Sequence, residues 1–395
     1  MFLAYHLFLF SLVQVVASTP PPEYGAGSGY IRHSITRSAR DSSGRPNSIS
    51  ANKQAGGLFY TITLGFGTPA QTLSVDIDTG SAELWINPIC KTAGDSLCNS
   101  FPHFNSSNSS SFNDLGVTSS ITYGSGAVDI QYGEDHVYAG WANISSQVFG
   151  IANQSQNLVI GILGLGPPSK DFEFGRRSSL LESLVTQGLI NSRAFSLDLQ
   201  DLDSNDSSII FGGVDTKKYT GRLEKLTTDT GRYEINMTSL SMSFSNGTTT
   251  SFLREENAPV LLDSGTSVCA FPSAIFEAVQ HAFPGAAAGN QPGDHLFDCA
   301  VGQMTGGLDF EFGSTVIRVP YKNFLLPTNE DGKCSLAISS IDGQGVLGDP
   351  FLRSAYVVFD QDNHQVHLAQ GANCGVNVVP IQSGADSVPS ITGAC

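Results

Sequence analysis

Residues 74–85 read SVDIDTGSAELW, an apolar run that stops at Asp78-Thr79-Gly80 and carries three carboxylates, Asp76, Asp78 and Glu83, with no basic residue among them. One such triplet is ordinary turn material. A second, Asp263-Ser264-Gly265, follows PVLL and precedes Thr266 and Ser267, so it too stands where an apolar run ends at a tight turn. A third, Asp229-Thr230-Gly231, follows LTT and precedes Arg232, and reads as a solvated hairpin tip.

Spacing pairs the first two. Asp78 lies 86 residues before Gly164 of Ile162-Leu163-Gly164, and Asp263 lies 85 before Gly348 of Val346-Leu347-Gly348. Each half therefore has the order apolar strand, acidic turn, long β-rich stretch, apolar pair and glycine. A duplicated unit of this kind brings two acidic turns face to face across a cleft. The residue types suit that arrangement. Gly80 and Gly265 admit a backbone turn that a Cβ would hinder. Thr79, Ser81, Ser264 and Thr266 supply short hydroxyls to hold the carboxylates without adding charge. Two carboxyls about 3 Å apart do not both ionise cheaply, so one keeps a proton while the other is a base.

The whole chain sets the frame. Its 395 residues exceed one ordinary core. Short Val, Ile, Thr and Phe runs separated by Gly, Ser, Asn and Asp read as mainly β. The start, MFLAYHLFLFSLVQVVA, is an apolar segment of signal-peptide length ending near Ala17 and Ser18, though it lacks the usual basic n-region. Seven Asn-x-Ser/Thr sequons, at Asn105, Asn108, Asn143, Asn153, Asn205, Asn236 and Asn246, agree with a glycosylating route. Seven cysteines suggest a few staples in an oxidising compartment. Cys90 with Cys98, Cys299 with Cys334, and Cys374 with Cys395 are candidate pairs that leave Cys269 over, but spacing alone does not fix connectivity. No second apolar stretch is long enough to span a bilayer, which predicts no membrane anchor.

Charge is uneven. Residues 18–54 carry Arg32, Arg37, Arg40, Arg45 and Lys53 against Glu23 and Asp41, whereas the rest has 15 Lys and Arg against 34 acidic residues. A basic leader on an acidic body is what an intramolecular inhibitor needs, and equally what a disordered tail would look like. The acidic body argues against nucleic acid as a partner.

Beside the two acidic turns stand LFYTITLGFGTPAQ before the first, ITYGSGAV at 121–128, IGILGLGPPS at 160–169, IIFGGVDTKKYTG at 209–221 and VLGDPFLRSAYVVFDQDNHQVHLA at 346–369. In this order they resemble the pepsin-like aspartic proteases over nearly all of residues 56–372, and look most like the secreted, yapsin-related enzymes of fungi. The resemblance implies a mainly β, bilobal fold with two similar β-rich lobes and a central cleft. It divides the chain into signal peptide 1–17, basic propeptide 18–53, N-terminal lobe 54–228, C-terminal lobe 229–373 and tail 374–395.

The same resemblance implies roles. Asp78 and Asp263 match the catalytic pair, and Thr79, Gly80, Ser81, Ser264, Gly265 and Thr266 its supports, with Ser264 in place of the more frequent Thr. Tyr123 matches the flap aromatic, with Gly124 and Ser125 at the flap tip and Trp85 packed behind. Cys90–Cys98 and Cys299–Cys334 match family disulfides, whereas Cys269 is outside the pattern. Asp76 takes a position that is often apolar and lines a substrate pocket, where a carboxylate would favour Lys or Arg. Its alternatives are a solvated group, or one held by a hydroxyl or by the leader's arginines. Glu83 reads as a turn-rim residue without a role. Protein or peptide substrates, the chain's own propeptide as inhibitor, a monomer and no cofactor complete the expectation.

Other classes fit less well. There is no HExxH and no GxSxG, and His364 and His367 are three apart in a strand-like stretch, which does not favour a shared metal. A catalytically silent pepsin-like binding protein need not keep both turns and the flap Tyr. A secreted adhesion module explains the sequons but not the duplicated turns.

Overall fold

The computed structural model describes residues 29–39, 58–168, 173–202, 204–228, 231–285, 296–328 and 331–395. The signal-peptide segment 1–17, Arg40, Arg45, Lys53 and Asp229 lie outside them. Eleven strands open the chain: β1 (Ile31–Ser34), β2 (Thr36–Ala39), β3 (Leu58–Phe66), β4 (Gln71–Asp78), β5 (Leu84–Ile86), β6 (Asn113–Thr122), β7 (Ala127–Ala139), β8 (Ala142–Gln156), β9 (Gly161–Gly164), β10 (Ala194–Asp198) and β11 (Ser208–Phe211).

The period-2 pattern of β4 decides which residues meet the core. Leu73, Val75 and Ile77 are 3%, 0% and 0% exposed, and the alternation puts Asp76 and Asp78 together on the opposite face. β4 lies in an eight-stranded sheet of order β2-β3-β4-β9-β5-β8-β7-β6. It runs parallel to β9, which places Asp78 opposite Gly164, and β9 runs antiparallel to β5.

The second half repeats this arrangement inside a seven-stranded sheet. The strand Thr249–Leu262 ends one residue before Asp263 and runs parallel to Gly345–Leu347, which is antiparallel to Cys269–Phe271. The two glycines that close the repeat are demanded by contact. A Cβ on Gly164 would lie 2.3 Å from the Glu83 amide nitrogen, and one on Gly348 would lie 2.1 Å from the Thr266 carbonyl oxygen. The repeat also explains Cys269. It pairs with Leu347 as Leu84 pairs with Leu163, and it is a buried free thiol serving as apolar filling. The other six cysteines form Cys90–Cys98, Cys299–Cys334 and Cys374–Cys395.

A six-stranded sheet of order β1-β11-β10, Ala355–Asp360, Gln365–Gln370 and Glu224–Thr227 draws on residues from both halves and from the leader. β1 pairs antiparallel with β11, Ile31 opposite Phe211, and β2 pairs with β3. Arg32 lies 3.5 Å from Asp206, and Arg37 donates to the carbonyls of Leu202 and Ser204. These two leader arginines are therefore engaged elsewhere than at Asp76, which the sequence offered them as one alternative partner. Their partners are Leu202, Ser204 and Asp206, and in β1 the alternation turns Ile31 and His33 inward and leaves Arg32 on the other face.

All seven sequon asparagines are exposed, three of them on strands. Among the described residues no helix is long and apolar enough to cross a membrane.

Candidate active site

The two parallel strand pairs carry Asp78 and Asp263 to one place. A Cβ on Gly80 would lie 2.7 Å from Asp263 Oδ1, and one on Gly265 would lie 2.6 Å from Asp78 Oδ1, so each turn's glycine faces the other turn's carboxylate. Each carboxylate is also held from its own turn. The Gly80 amide donates to Asp78 Oδ1 at 2.8 Å, and Ser81 donates to Oδ2. The Gly265 amide donates to Asp263 Oδ1 at 2.9 Å, and Thr266 donates to Oδ2 at 2.6 Å.

Thr79 and Ser264 behave differently from the expectation that they orient the carboxylates. Thr79 Oγ1 donates to the Leu262 carbonyl at 2.9 Å and accepts from the Ser264 amide at 2.9 Å. Ser264 Oγ donates to the Ile77 carbonyl at 2.8 Å and accepts from the Thr79 amide at 3.1 Å. Both side chains are turned away from the cleft and buried, at 2% and 3% exposure. Their hydroxyls fasten one turn to the other, and Ser81 and Thr266 are left to hold the acids. Ser264 makes every bond that a Thr hydroxyl would make there.

Burial, and then the neighbouring Asp263, raise the pKa of Asp78, while its bonds from Ser81 and Gly80 oppose the rise. The two carboxyls are close enough to share a hydrogen bond. This is the environment in which one proton is kept between two acids.

Asp76 lies beside this pair at 7% exposure, with Oδ1 accepting from the Tyr60 amide at 3.1 Å. It is not solvated, and among the described residues no hydroxyl or leader arginine holds it. Burial, followed by the fields of Asp78 and Asp349, raises its pKa well above the ordinary carboxylate range. Glu83 is half-buried rather than at a free rim: the Tyr132 hydroxyl donates to it at 2.6 Å, and Tyr132 stacks on Phe174. Its pKa is raised by burial.

Tyr123 stands at the start of the turn between β6 and β7, closed by its amide donating to the Gly126 carbonyl at 2.8 Å. Gly124 and Ser125 are the exposed tip, and nothing lies within 4 Å of a Cβ on Gly124. Gly126 is required for packing, since a Cβ there would be 2.4 Å from the Gln156 carbonyl oxygen. The fully buried Trp85 donates its indole N–H to the Tyr123 hydroxyl at 2.7 Å, which ties the turn to β5 beside the acid pair. Tyr123→Phe removes the acceptor of a buried donor. We expect kcat/KM for a peptide to fall about tenfold, by steady-state kinetics, and Tm to fall by a few degrees as the Trp85 N–H is left without its partner.

Sequence reasoning missed three contributors. Asp349, at 1% exposure, lies directly after Gly348, and burial raises its pKa, with Arg353 the main opposing charge. Arg353, at 4% exposure, donates to the Tyr60 hydroxyl at 3.4 Å and to the Asn323 carbonyl. Tyr60 in turn holds Asp76. The signal lay in the repeat: the residue after Gly164 is Leu165 whereas the residue after Gly348 is an acid, an asymmetry legible in the sequence.

Two facing acidic turns at equivalent points of a duplicated β fold define a class of protein, and comparison with known proteins gives the family. Residues 59–371 match the model of the family described as eukaryotic aspartyl protease. The chain belongs to that family. It is 34% identical to the probable aspartic-type endopeptidase opsB of Aspergillus fumigatus, over 85% of this chain and 73% of that one. It is 30% identical to the aspartic proteinase yapsin-3 of Saccharomyces cerevisiae, over 89% and 73%. It is 29% identical to pepsin A of Bos taurus, over 88% and 91%.

Proposed function

We propose that the protein is a secreted, acid-acting aspartic endopeptidase in which Asp78 and Asp263 activate one water molecule between them. The observation that supports this most directly is the reciprocal seating of Gly80 against Asp263 and Gly265 against Asp78. The ionised carboxylate takes a proton from water as the oxygen attacks the scissile carbonyl carbon. The protonated partner donates to the carbonyl oxygen, and the proton first taken passes to the leaving amine as the C–N bond breaks. Catalysis needs one proton on the pair. Because burial and Asp263 raise the Asp78 pKa, that proton persists above the ordinary carboxylate range, and activity falls on the alkaline side as it leaves.

The basic segment 18–53 is proposed as a propeptide that keeps the enzyme latent, and the exposed sequons as sites of glycan attachment along the secretory route. Cleavage of a mixed peptide library from pH 3 to pH 7, with and without a statine-type inhibitor, tests the reading. Inhibitor-sensitive cleavage strongest in acid supports it, and inhibitor-insensitive cleavage or none at any pH overturns it.

Asp76 is proposed as a specificity residue with a pH-dependent charge. Its raised pKa makes it neutral in acid, where it offers basic residues no ion pair, and ionised only as pH rises. Asp76→Leu should therefore leave the acid cleavage profile unchanged and reduce cleavage beside Lys and Arg toward neutral pH. An identical library profile for both proteins at both pH values would exclude this role.

A further inference from the structure

The leader strand β1 carries a histidine with no role in the chemistry above. His33 is 7% exposed. Its ring stands edge-on to Phe211 of β11, at 6.2 Å between centroids, and close against Gly140. One ring nitrogen meets the Ala139 carbonyl, while Nε2 is buried without a hydrogen-bond partner. Among the described residues, the elements packed on it offer no countercharge. β11 reads Ser-Ile-Ile-Phe, and the turn at Ala139 and Gly140 has no ionisable side chain. The charged groups near the segment, Arg32 and Arg37, are engaged with Asp206 and with the carbonyls of Leu202 and Ser204. Elsewhere residues 31–35 are held by apolar burial, with Ile31 at 0% and Ile35 at 6% exposure, and by the four register pairs of β1 along the edge of the six-stranded sheet.

We propose that residues 30–35 dock reversibly on the edge of β11 and that His33 is the proton gate of this docking, holding the strand in place while neutral and releasing it when charged. A charged imidazole in this niche would lie among Phe211, a glycine and a carbonyl, without a carboxylate to offset it. The sign follows. Burial lowers the His33 pKa from 6.5 to about 4, so the released strand binds a proton more readily than the docked one. Docking is strongest above pH 6.5 and weakens as pH falls toward 4, by about two orders of magnitude once both forms are protonated. The gate differs from carboxylate protonation in its window, which opens at the histidine range, and in its place, which is the sheet edge remote in sequence from both acidic turns. It holds whether or not the body is an active enzyme.

The test uses the full chain carrying Asp78→Asn, so that self-cleavage does not enter, and follows hydrogen exchange of peptides covering residues 29–35 and 208–211 from pH 7 to pH 3.5, corrected for intrinsic exchange. The expected result is loss of protection in both peptides by about 100-fold between pH 6.5 and 4, while the buried strand Ala355–Asp360 stays protected. Adding His33→Phe, which keeps a ring against Phe211, or His33→Gln, which keeps a donor for the Ala139 carbonyl, should preserve protection at pH 4. Protection of residues 29–35 that persists in the parent to pH 3.5 overturns the proposal. So does an unchanged pH response in whichever His33 variant folds, or a response removed by Asp206→Asn but not by the His33 substitutions.

Discussion

Asp78→Asn and Asp263→Asn should each lower kcat/KM for peptide cleavage by at least about 10³-fold while leaving a folded protein. Asparagine keeps the size and much of the hydrogen bonding of the acid, so the amides of Gly80 and Gly265 retain a partner, but the amide neither takes nor gives the proton that the water step requires. Stability supplies a second readout with a definite sign. The folded-state pKa of Asp78 is raised by burial and by Asp263, so its contribution to stability is present below the unfolded-state value and is lost as pH rises through the folded one. Removing the acid removes that loss. The Tm of Asp78→Asn should therefore exceed that of the parent by more at pH 7 than at pH 3. Undiminished cleavage by either variant would remove the pair from the mechanism.

Gly265→Ala is the second large effect, and it tests geometry rather than charge. The added methyl would sit 2.6 Å from Asp78 Oδ1 and 3.3 Å from Asp263 Oδ1, where no Cβ fits, so one carboxylate must move. Catalysis by positioned groups tolerates little displacement, and a loss of at least about 100-fold in kcat/KM is expected. Because Gly265 itself is exposed, with a backbone angle that any residue adopts, the fold should survive, with Tm within a few degrees. Affinity for a statine-type inhibitor should fall in parallel. Activity within about threefold of the parent would mean that the two carboxylates are not held as closely as the glycine contact implies.

The acidic turns and the closing glycines were legible because they recur in order and at matched spacing, and a repeat is a property of sequence. The direction of the Thr79 and Ser264 hydroxyls was not, because their partners, Leu262 and Ile77, are backbone carbonyls on the other half of the molecule. Asp76 was visible as an oddity, yet its holder is the amide of Tyr60, which no side-chain pattern marks. Asp349 and Arg353 are single positions inside an apolar motif, and their meaning depends on burial that the repeat does not report. The leader gives a related lesson. Tyr-Ile-Arg-His-Ser-Ile sets two apolar residues before three polar ones, so no alternation marks it as a strand, and its arginines suggest a charged cover. The alternation appears only in the burial, where His33 takes an inward place.

The four bonds linking Thr79 and Ser264 have a consequence for how the halves relate. Neither half contains a complete support for its own acid: the backbone of each turn is completed by a hydroxyl from the other. Isolated halves would each carry an aspartate without the geometry that gives it a use, and bringing them together is the same event as switching them on. Sequence drift in one turn is thereby answerable to the other, so two copies that began as duplicates are free to diverge everywhere except where they interlock.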